Sequence, residues 1–505
     1  MNIKDAKTEI ANTLQAYHRK DSNGKYLYPT VRQRPILLMG PPGIGKTAIL
    51  EQIAAEQDVG LVAYTLTHHT RQSAIGLPHI EKKCYDGRNM SVTEYTMSEI
   101  IASIYDCMET TGKREGILFL DEVNCVSETL APTMLQLLQN KTFGSHAIPE
   151  GWLIVAAGNP PEYNKSVREF DVATLDRVRN IPVEADCSVW MEYAYDRQVH
   201  GAVLSYLSIR PDHFYLVEDT ADGKFFVTAR GWEDLSELLK SYEALNISIT
   251  KAVVSQFLQK EAVAGAFSAY YQLYRKYDTD YGIEQLLTGT MSRDVYADKI
   301  SMARSGGFEE RFTVIHLLLD ALDQRFAAYE SSQTLLPQLH QTLQQLRDFW
   351  KSQPNVDTDA FIEKQRNALQ VKINAELISI QDRMTADGVI EKLQEYDHIL
   401  KANHLWDSLE RFDLIRVLFT EEVQQVEQLA NILKQQLDTA FRFAEDCFGD
   451  GQEMVLLVSD LARNPRAMRF ISANGSQEFL RHSDALLYRQ QEQALQEECR
   501  KLLSL

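Results

Sequence analysis

What the chain lacks narrows its class first. No run of apolar residues approaches the ~18 that a membrane span needs. The opening residues, Met1-Asn2-Ile3-Lys4-Asp5, lack the basic-then-apolar design of a secretory signal. Cysteine is sparse, with six in 505 residues (Cys84, Cys107, Cys125, Cys187, Cys447, Cys499) and no Cys-x-x-Cys pair. That spread argues against a disulfide framework and fits reduced, mostly buried thiols in the cytoplasm. A basic excess is missing too: 52 Lys+Arg face 71 Asp+Glu, for a net charge of −19, and the deficit is spread along the chain. No segment therefore has the electrostatic footprint of a dedicated nucleic-acid or anionic-membrane binder. What remains is ordinary globular composition, 44% hydrophobic and 24% charged. At roughly 100–200 residues per domain, the length predicts two to four domains.

Periodicity then divides the chain. Residues 1–20 carry Ile3, Ile10, Leu14 and Tyr17 at helical spacing. From there to about residue 186, apolar strand signals at 35–39, 61–66, 116–120, 152–157 and 180–184 alternate with helical patterns. Nearly continuous runs such as Ile117-Leu118-Phe119-Leu120 and Trp152 to Ala157 suit strands buried on both faces, hence a parallel sheet wrapped by helices. Beyond 186 helical patterns dominate, interrupted by one candidate hairpin across Asp222-Gly223. Leu336, Leu339, Leu343 and Leu346 alternate three and four apart, and after a break at Gln353-Pro354-Asn355 a second run follows (Phe361, Leu369, Ile373, Leu377, Ile380). The pattern predicts an antiparallel helical hairpin, either projecting as an arm or packed on the body.

The strongest signal follows the first strand: Gly40-Pro41-Pro42-Gly43-Ile44-Gly45-Lys46-Thr47, then a helix opening at Ala48. This fits G-x-x-x-x-G-K-[ST] in the context that gives it meaning, strand, glycine loop, helix N-terminus. Glycines let main-chain N–H groups turn inward around phosphates, and the helix dipole adds to the attraction. Lys46 is the mobile charge for the β- and γ-phosphates, and the Thr47 hydroxyl is a Mg²⁺ ligand. The strand Ile117–Leu120 ends in Asp121-Glu122, and an acid at that end of a parallel strand lies beside the phosphate loop. Asp121 is expected at the Mg²⁺ shell, and Glu122 is expected to orient and deprotonate the attacking water.

Three further signals come in order: Ala156-Ala157-Gly158-Asn159-Pro160 at a strand end, Leu175-Asp176-Arg177 before the last strand, and Thr228-Ala229-Arg230-Gly231-Trp232 opening a helix. The ordered set resembles the AAA+ ATPases, and within them the MoxR and dynein-related branch, over about residues 30–245. The resemblance implies an α/β P-loop large domain over 1–186 followed by a helical lid, taken over 187–330; beyond the matched motifs, periodicity alone predicts the helical hairpin arm over 331–408 and a C-terminal helical region over 409–505. The resemblance also implies Walker A roles for Lys46 and Thr47, Walker B roles for Asp121 and Glu122, sensor 1 at Asn159 and sensor 2 at Arg230. The arginine finger falls on Arg177, with Arg179 as its rival and Arg168 a weaker one. A pore-facing helix–hairpin is implied between Ser73 and about Met97, and a short hairpin between Lys141 and Gly151. The chain departs from the branch pattern at Cys125, where Arg is common, and at Val178, where an aromatic is usual.

By this resemblance the chain is expected to bind and hydrolyse ATP with Mg²⁺ as a homo-oligomeric, hexameric ring in the cytoplasm. Such a ring would remodel or activate a protein client, such as one with a von Willebrand factor A domain. The runner-up is a nucleic-acid-stimulated motor of McrB or MCM type, which the uniform acidity disfavours. A non-catalytic nucleotide switch would need a damaged hydrolytic set, and Asp121, Glu122, Asn159 and Arg177 are all present. Two other features read as structural. His68-His69 has no third ligand at metal spacing, and the basic cluster Arg463-Asn464-Pro465-Arg466 with Arg469 reads as a solvated turn or intersubunit contact.

Overall fold

The computed structural model describes the chain except for residues 69–75, 86–87, 129, 144–145, 164–166, 168–169, 221–222, 353–357, 375–379, 405–407 and 486–505. Ser73, His69, Arg168, Asp222, Leu377, Cys499 and the 353–355 break therefore lie outside the described residues.

In chain order the first elements are α1 (Ile3–Tyr17), β1 (Ile36–Met39), α2 (Lys46–Glu56), β2 (Gly60–Thr65), β3 (Pro78–Tyr85), β4 (Arg88–Tyr95), α3 (Glu99–Thr111) and β5 (Gly116–Asp121). Then come α4 (Ala131–Asn140), β6 (Thr142–Phe143), β7 (His146–Ala147), β8 (Trp152–Gly158), α5 (Val172–Leu175) and β9 (Arg179–Pro182). Strands β1, β2, β5, β8 and β9 form one parallel sheet in the order β2-β5-β8-β1-β9. The five strands that periodicity predicts are these five, within a residue or two at each end. Side chains alternate between the two faces. Leu153, Val155 and Ala157 of β8 pack with α1 and α2, through Ile10, Leu14, Ile49 and Ile53. Trp152, Ile154 and Ala156 face α3 and α4, through Ile101, Ile104, Met134 and Leu137. Burial on both faces is why these strands read as unbroken apolar runs.

Two insertions decorate the sheet. β3 and β4 pair as an antiparallel hairpin, and β6 and β7 as a shorter one, at the two places where the branch resemblance puts hairpins.

Later elements are α6 (Cys187–Asp196), α7 (Gly201–Ile209), β10 (Leu216–Thr220), β11 (Gly223–Val227), α8 (Ala229–Ala244), α9 (Lys251–Val254), α10 (Glu261–Tyr281), α11 (Ile283–Leu287) and α12 (Arg293–Ser305). The chain ends in α13 (Phe308–Ser352), α14 (Thr358–Asn374), α15 (Ile380–Ala402), α16 (Ser408–Phe448), α17 (Gln452–Arg463) and α18 (Pro465–Asn474). By compactness there are two units. One holds Met1–Met191 with Arg210–Gly265, and the other Glu192–Ile209 with Ala266–Leu505. The stretch 187–330, expected as one helical lid, is shared between them.

The second unit is all helical among its described residues. Its region 331–408 is richer than a two-helix hairpin. The C-terminal half of α13, with α14, α15 and the start of α16, encloses its own core of Leu339, Leu343, Trp350, Phe361, Leu393 and Ile415. α13 packs chiefly on α15 and α16, and α14 on α15. The leucine spacing marks the α13 face correctly; the number of partners is set by tertiary packing that periodicity does not carry.

Two other expectations need correction. Among the described cysteines only Cys447 is buried; Cys84 is exposed and Cys107, Cys125 and Cys187 are intermediate. The basic cluster at 463–469 is solvated only in part: the Arg463 and Arg469 side chains are exposed, whereas Arg466 is not. Arg466 is largely buried, where it pairs with Glu330 and Asp323 and donates to the carbonyls of Tyr195 and Asp196. Asn464 bonds Asp323, and Arg469 reaches Glu330. Acids distant in sequence on α13 absorb the Arg466 and Arg469 charges, and Arg463 pairs locally with Asp460.

No described helix is long and apolar enough to cross a membrane.

Candidate functional site

Strand β1 delivers the chain into a loop that only glycine can follow. Gly43 (φ +74°) and Gly45 (φ +91°) are left-handed, and a Cβ on Gly40 would lie 2.6 Å from the Val183 carbonyl oxygen. Gly45 caps α2 without a side chain, so the first N–H groups of the helix have no side-chain acceptor in the way. Open donors at a helix start behind a glycine loop suit an anion such as phosphate.

Lys46 is 9% exposed and its ammonium is triply held: 2.8 Å from Gly40 O, 2.9 Å from Pro41 O and 2.9 Å from Asn159 Oδ1. Burial pushes its pKa down to about 8; Asp121 and Glu122 pull it upward and Arg230 pushes it further down. Asp121 shows the converse. Burial lifts its carboxyl above the ordinary range, against the Glu122 N–H bond to Oδ1 (2.8 Å) and the Lys46 charge. A carboxylate held this way gains from a cation at its free oxygen. With the Thr47 hydroxyl in the first turn of α2, it supplies the hard oxygen ligands that Mg²⁺ takes alongside phosphate and water. Thr47 and Asp121 fit that ion.

Glu122 leaves β5 with φ +56°, a left-handed conformation that is rare for a residue with a Cβ and typical of strained functional positions. Its Oε2 accepts a hydrogen bond from Thr67 Oγ1 at 2.9 Å, just past the end of β2. Asn159 follows β8 and touches Lys46. Arg230 stands in the first turn of α8, which Thr228 caps through Gly231 N–H. The Cβ of Arg230 would be 3.6 Å from one built on Gly43, so the helix start lies against the phosphate loop. Lys46, Thr47, Asp121, Glu122, Asn159 and Arg230 thus converge, as do Gly40, Pro41, Pro42, Gly43, Ile44, Gly45 and Ala48 around them.

Residues 35–178 match the profile of the AAA domain (dynein-related subfamily). The α/β part of the chain has the AAA+ fold. Among solved structures, a mutant of Thermotoga maritima RuvB aligns at 15% identity over 39% of this chain and 51% of that one, with a TM-score of 0.24. This chain therefore spans about half the length of that relative. No curated protein matches the chain.

Among the described residues, Arg177 has no contact that joins it to the groups gathered at the phosphate loop, such as Arg230 has through Gly43. It is exposed after α5, with Asp171 as an electrostatic neighbour. Arg179 is engaged inside the subunit, in an ion pair with Glu9 and a 2.6 Å hydrogen bond to Thr13 Oγ1 of α1.

Sequence reasoning missed three contributors. Thr67 holds Glu122, but nothing in a lone threonine after a strand announces it. Asn124 stands three residues beyond Asp121 and exchanges two bonds with the Asn159 main chain; its closeness to the Asp121-Glu122 pair was the available signal. Tyr215 OH donates to Pro42 O at 2.9 Å and borders a pocket of about 430 Å³ with Met39, Pro41, Tyr163, Pro182 and Glu184.

Metal-ligand groupings elsewhere are already filled by internal cations. In the His79, Glu81 and Glu94 set on the β3–β4 hairpin, Lys83 pairs with Glu94. In the Glu445, Glu478 and His482 set, Arg481 lies 2.7 Å and 2.8 Å from the two carboxylates.

Proposed function

We infer that the chain hydrolyses ATP at a site shared between neighbouring copies of itself, and that the cycle works on a protein client. The observation that carries the reading is the convergence of the buried Lys46, the half-buried Asp121 and Asn159 and the strained Glu122 at a glycine loop, while Arg177 is exposed to solvent. The phosphate loop and α2 hold the triphosphate, and Lys46 exchanges its carbonyl partners for phosphate oxygens. The pocket under Tyr215 has room for base and ribose. Thr47 and Asp121 would hold Mg²⁺, which would supply charge neutralisation at the phosphates. Glu122, once released by Thr67, orients water and takes its proton. Asn159 fixes the attacked phosphate, and Arg230 ties it to the helix α8. Arg177 of the adjacent copy supplies the last cation, since Arg179 is committed to α1.

Remodelling or activation of a protein partner, as in MoxR-like ATPases, is the role that the net acidic charge favours over a nucleic-acid motor. Light scattering of the wild type and Glu122→Gln, with and without ATP and Mg²⁺, tests the reading alongside steady-state hydrolysis. The account expects Glu122→Gln to trap nucleotide in a closed oligomer of about six subunits while the wild type turns over. Hydrolysis at full rate by a monomer would overturn it, and stimulation by DNA that fades with salt would favour the motor.

A further inference from the structure

A buried amide that phosphate chemistry does not itself use lies under the site. Asn124 is 3% exposed in the turn after β5, and both functional groups of its side chain engage one residue. Nδ2 donates to Asn159 O at 2.8 Å, and Oδ1 accepts from Asn159 N–H at 3.3 Å. Two bonds from one planar amide to a single residue's main chain fix its orientation as well as its position. A main-chain bond beside it, Val123 N–H to Ala157 O at 2.9 Å, holds the same two segments in register.

Gly158 carries the second half of the observation. A Cβ there would lie 2.7 Å from Asn124 Oδ1 and 2.9 Å from its Cγ. Gly158 is not among the residues with left-handed φ, so Asn124, rather than backbone conformation, requires the glycine. The Asn159 side chain, in turn, accepts from Lys46 at 2.9 Å. When Lys46 moves to phosphate oxygens, that amide loses the ammonium that orients it. The grip of Asn124 on its main chain does not depend on Lys46.

We propose that Asn124 is a positioning residue for hydrolysis, clamping Asn159 so that its amide stays aimed at the γ-phosphate after Lys46 has left it. The proposal rests on the ATPase reading above. An aspartate at 124 keeps the acceptor for Asn159 N–H but sets a carboxylate oxygen against Asn159 O; an alanine removes both bonds. Alanine at 158 displaces the amide without changing any group that bonds the nucleotide.

The experiment uses the full chain as wild type, Asn124→Ala, Asn124→Asp, Gly158→Ala and the Asn124→Ala/Gly158→Ala double variant. It measures kcat and KM for ATP with Mg²⁺, Kd for ADP alone and for ADP with aluminium fluoride, and the melting temperature. Each single variant is expected to lose about 10- to 100-fold in kcat, the scale of a small misplacement at a reacting centre. ADP affinity and KM stay within about twofold, because the interaction is expressed in the transition state. Affinity for the aluminium fluoride complex falls with kcat. The double variant is no worse than Asn124→Ala, since the clash disappears with the side chain. Equal loss of ADP and aluminium fluoride affinity, or multiplicative losses in the double variant, would overturn the clamp and leave a packing role. If the wild type does not hydrolyse ATP, the ATPase reading falls, and the ratio of the two affinities across the variants still decides the clamp. If Asn124→Ala does not fold, Gly158→Ala and Asn124→Asp, which keep a side chain in that space, give the same comparison.

Discussion

Arg177 and Arg179 stand two residues apart, yet their surroundings predict opposite phenotypes. Arg179 bonds Thr13 at 2.6 Å and pairs with Glu9, with the paired side chains 36% and 39% exposed. An ion pair that open to solvent is worth about 0.5 kcal/mol after screening, and the hydrogen bond about 1 kcal/mol. Arg179→Ala should therefore loosen α1 by roughly 1–2 kcal/mol, a melting shift of about 2–8 °C for a unit this size, while sparing hydrolysis. Arg177→Ala removes an exposed side chain and should move the melting temperature by less than about 2 °C. Its nucleotide affinity should be normal, but turnover should fall by about 10³–10⁵, the contribution of a trans-acting arginine in related phosphoryl transfers. Calorimetry and a steady-state phosphate-release assay on both variants read this directly. Loss of turnover in Arg179→Ala with retention in Arg177→Ala would refute the assignment of the finger.

The buried Lys46, with its pKa near 8 in the free protein, makes nucleotide binding proton-linked. Phosphate contact favours the charged form, so above pH 8 binding takes up a proton and affinity falls about tenfold per pH unit; calorimetry in buffers of different ionisation heat should show uptake at pH 9 and little at pH 7. Thr67→Val should release Glu122 and raise basal turnover by about 2- to 10-fold, the worth of one partly exposed hydrogen bond to a carboxylate; unchanged turnover would mean that the bond does not restrain Glu122. In the helical unit, Arg466→Ala leaves Asp323 and Glu330 poorly compensated and should cost about 2–4 kcal/mol, seen as an earlier unfolding midpoint in urea with nucleotide binding intact.

The sheet was legible in the sequence because strands buried on both faces must be almost wholly apolar, and because the glycine loop, Asp121-Glu122 and Asn159 each mark a strand's end. The α1 stripe was legible for the same kind of reason: Ile10, Leu14 and Tyr17 share one buried face. What stayed hidden depends on pairs distant in the chain. Arg179 meets Glu9 across 170 residues and Arg466 meets Glu330 across 136, so a local count of charges reads both arginines as free. The helical region 331–408 shows the same limit. Periodicity tells which face of a helix is buried, but the enclosing partners are chosen by packing. Thr67 and Tyr215 were invisible because a hydroxyl reaching a carboxylate or a loop carbonyl leaves no spacing pattern behind.

The central claim, that each site is completed by the neighbouring copy, is tested most directly by mixing two inactive variants. Lys46→Ala lacks a working phosphate loop but retains Arg177; Arg177→Ala retains the loop but lacks the finger. The account predicts negligible hydrolysis by either alone and recovery on mixing, because some Arg177→Ala sites then receive Arg177 from a Lys46→Ala neighbour. Activity in Arg177→Ala alone, or no recovery in mixtures that co-assemble, would contradict it.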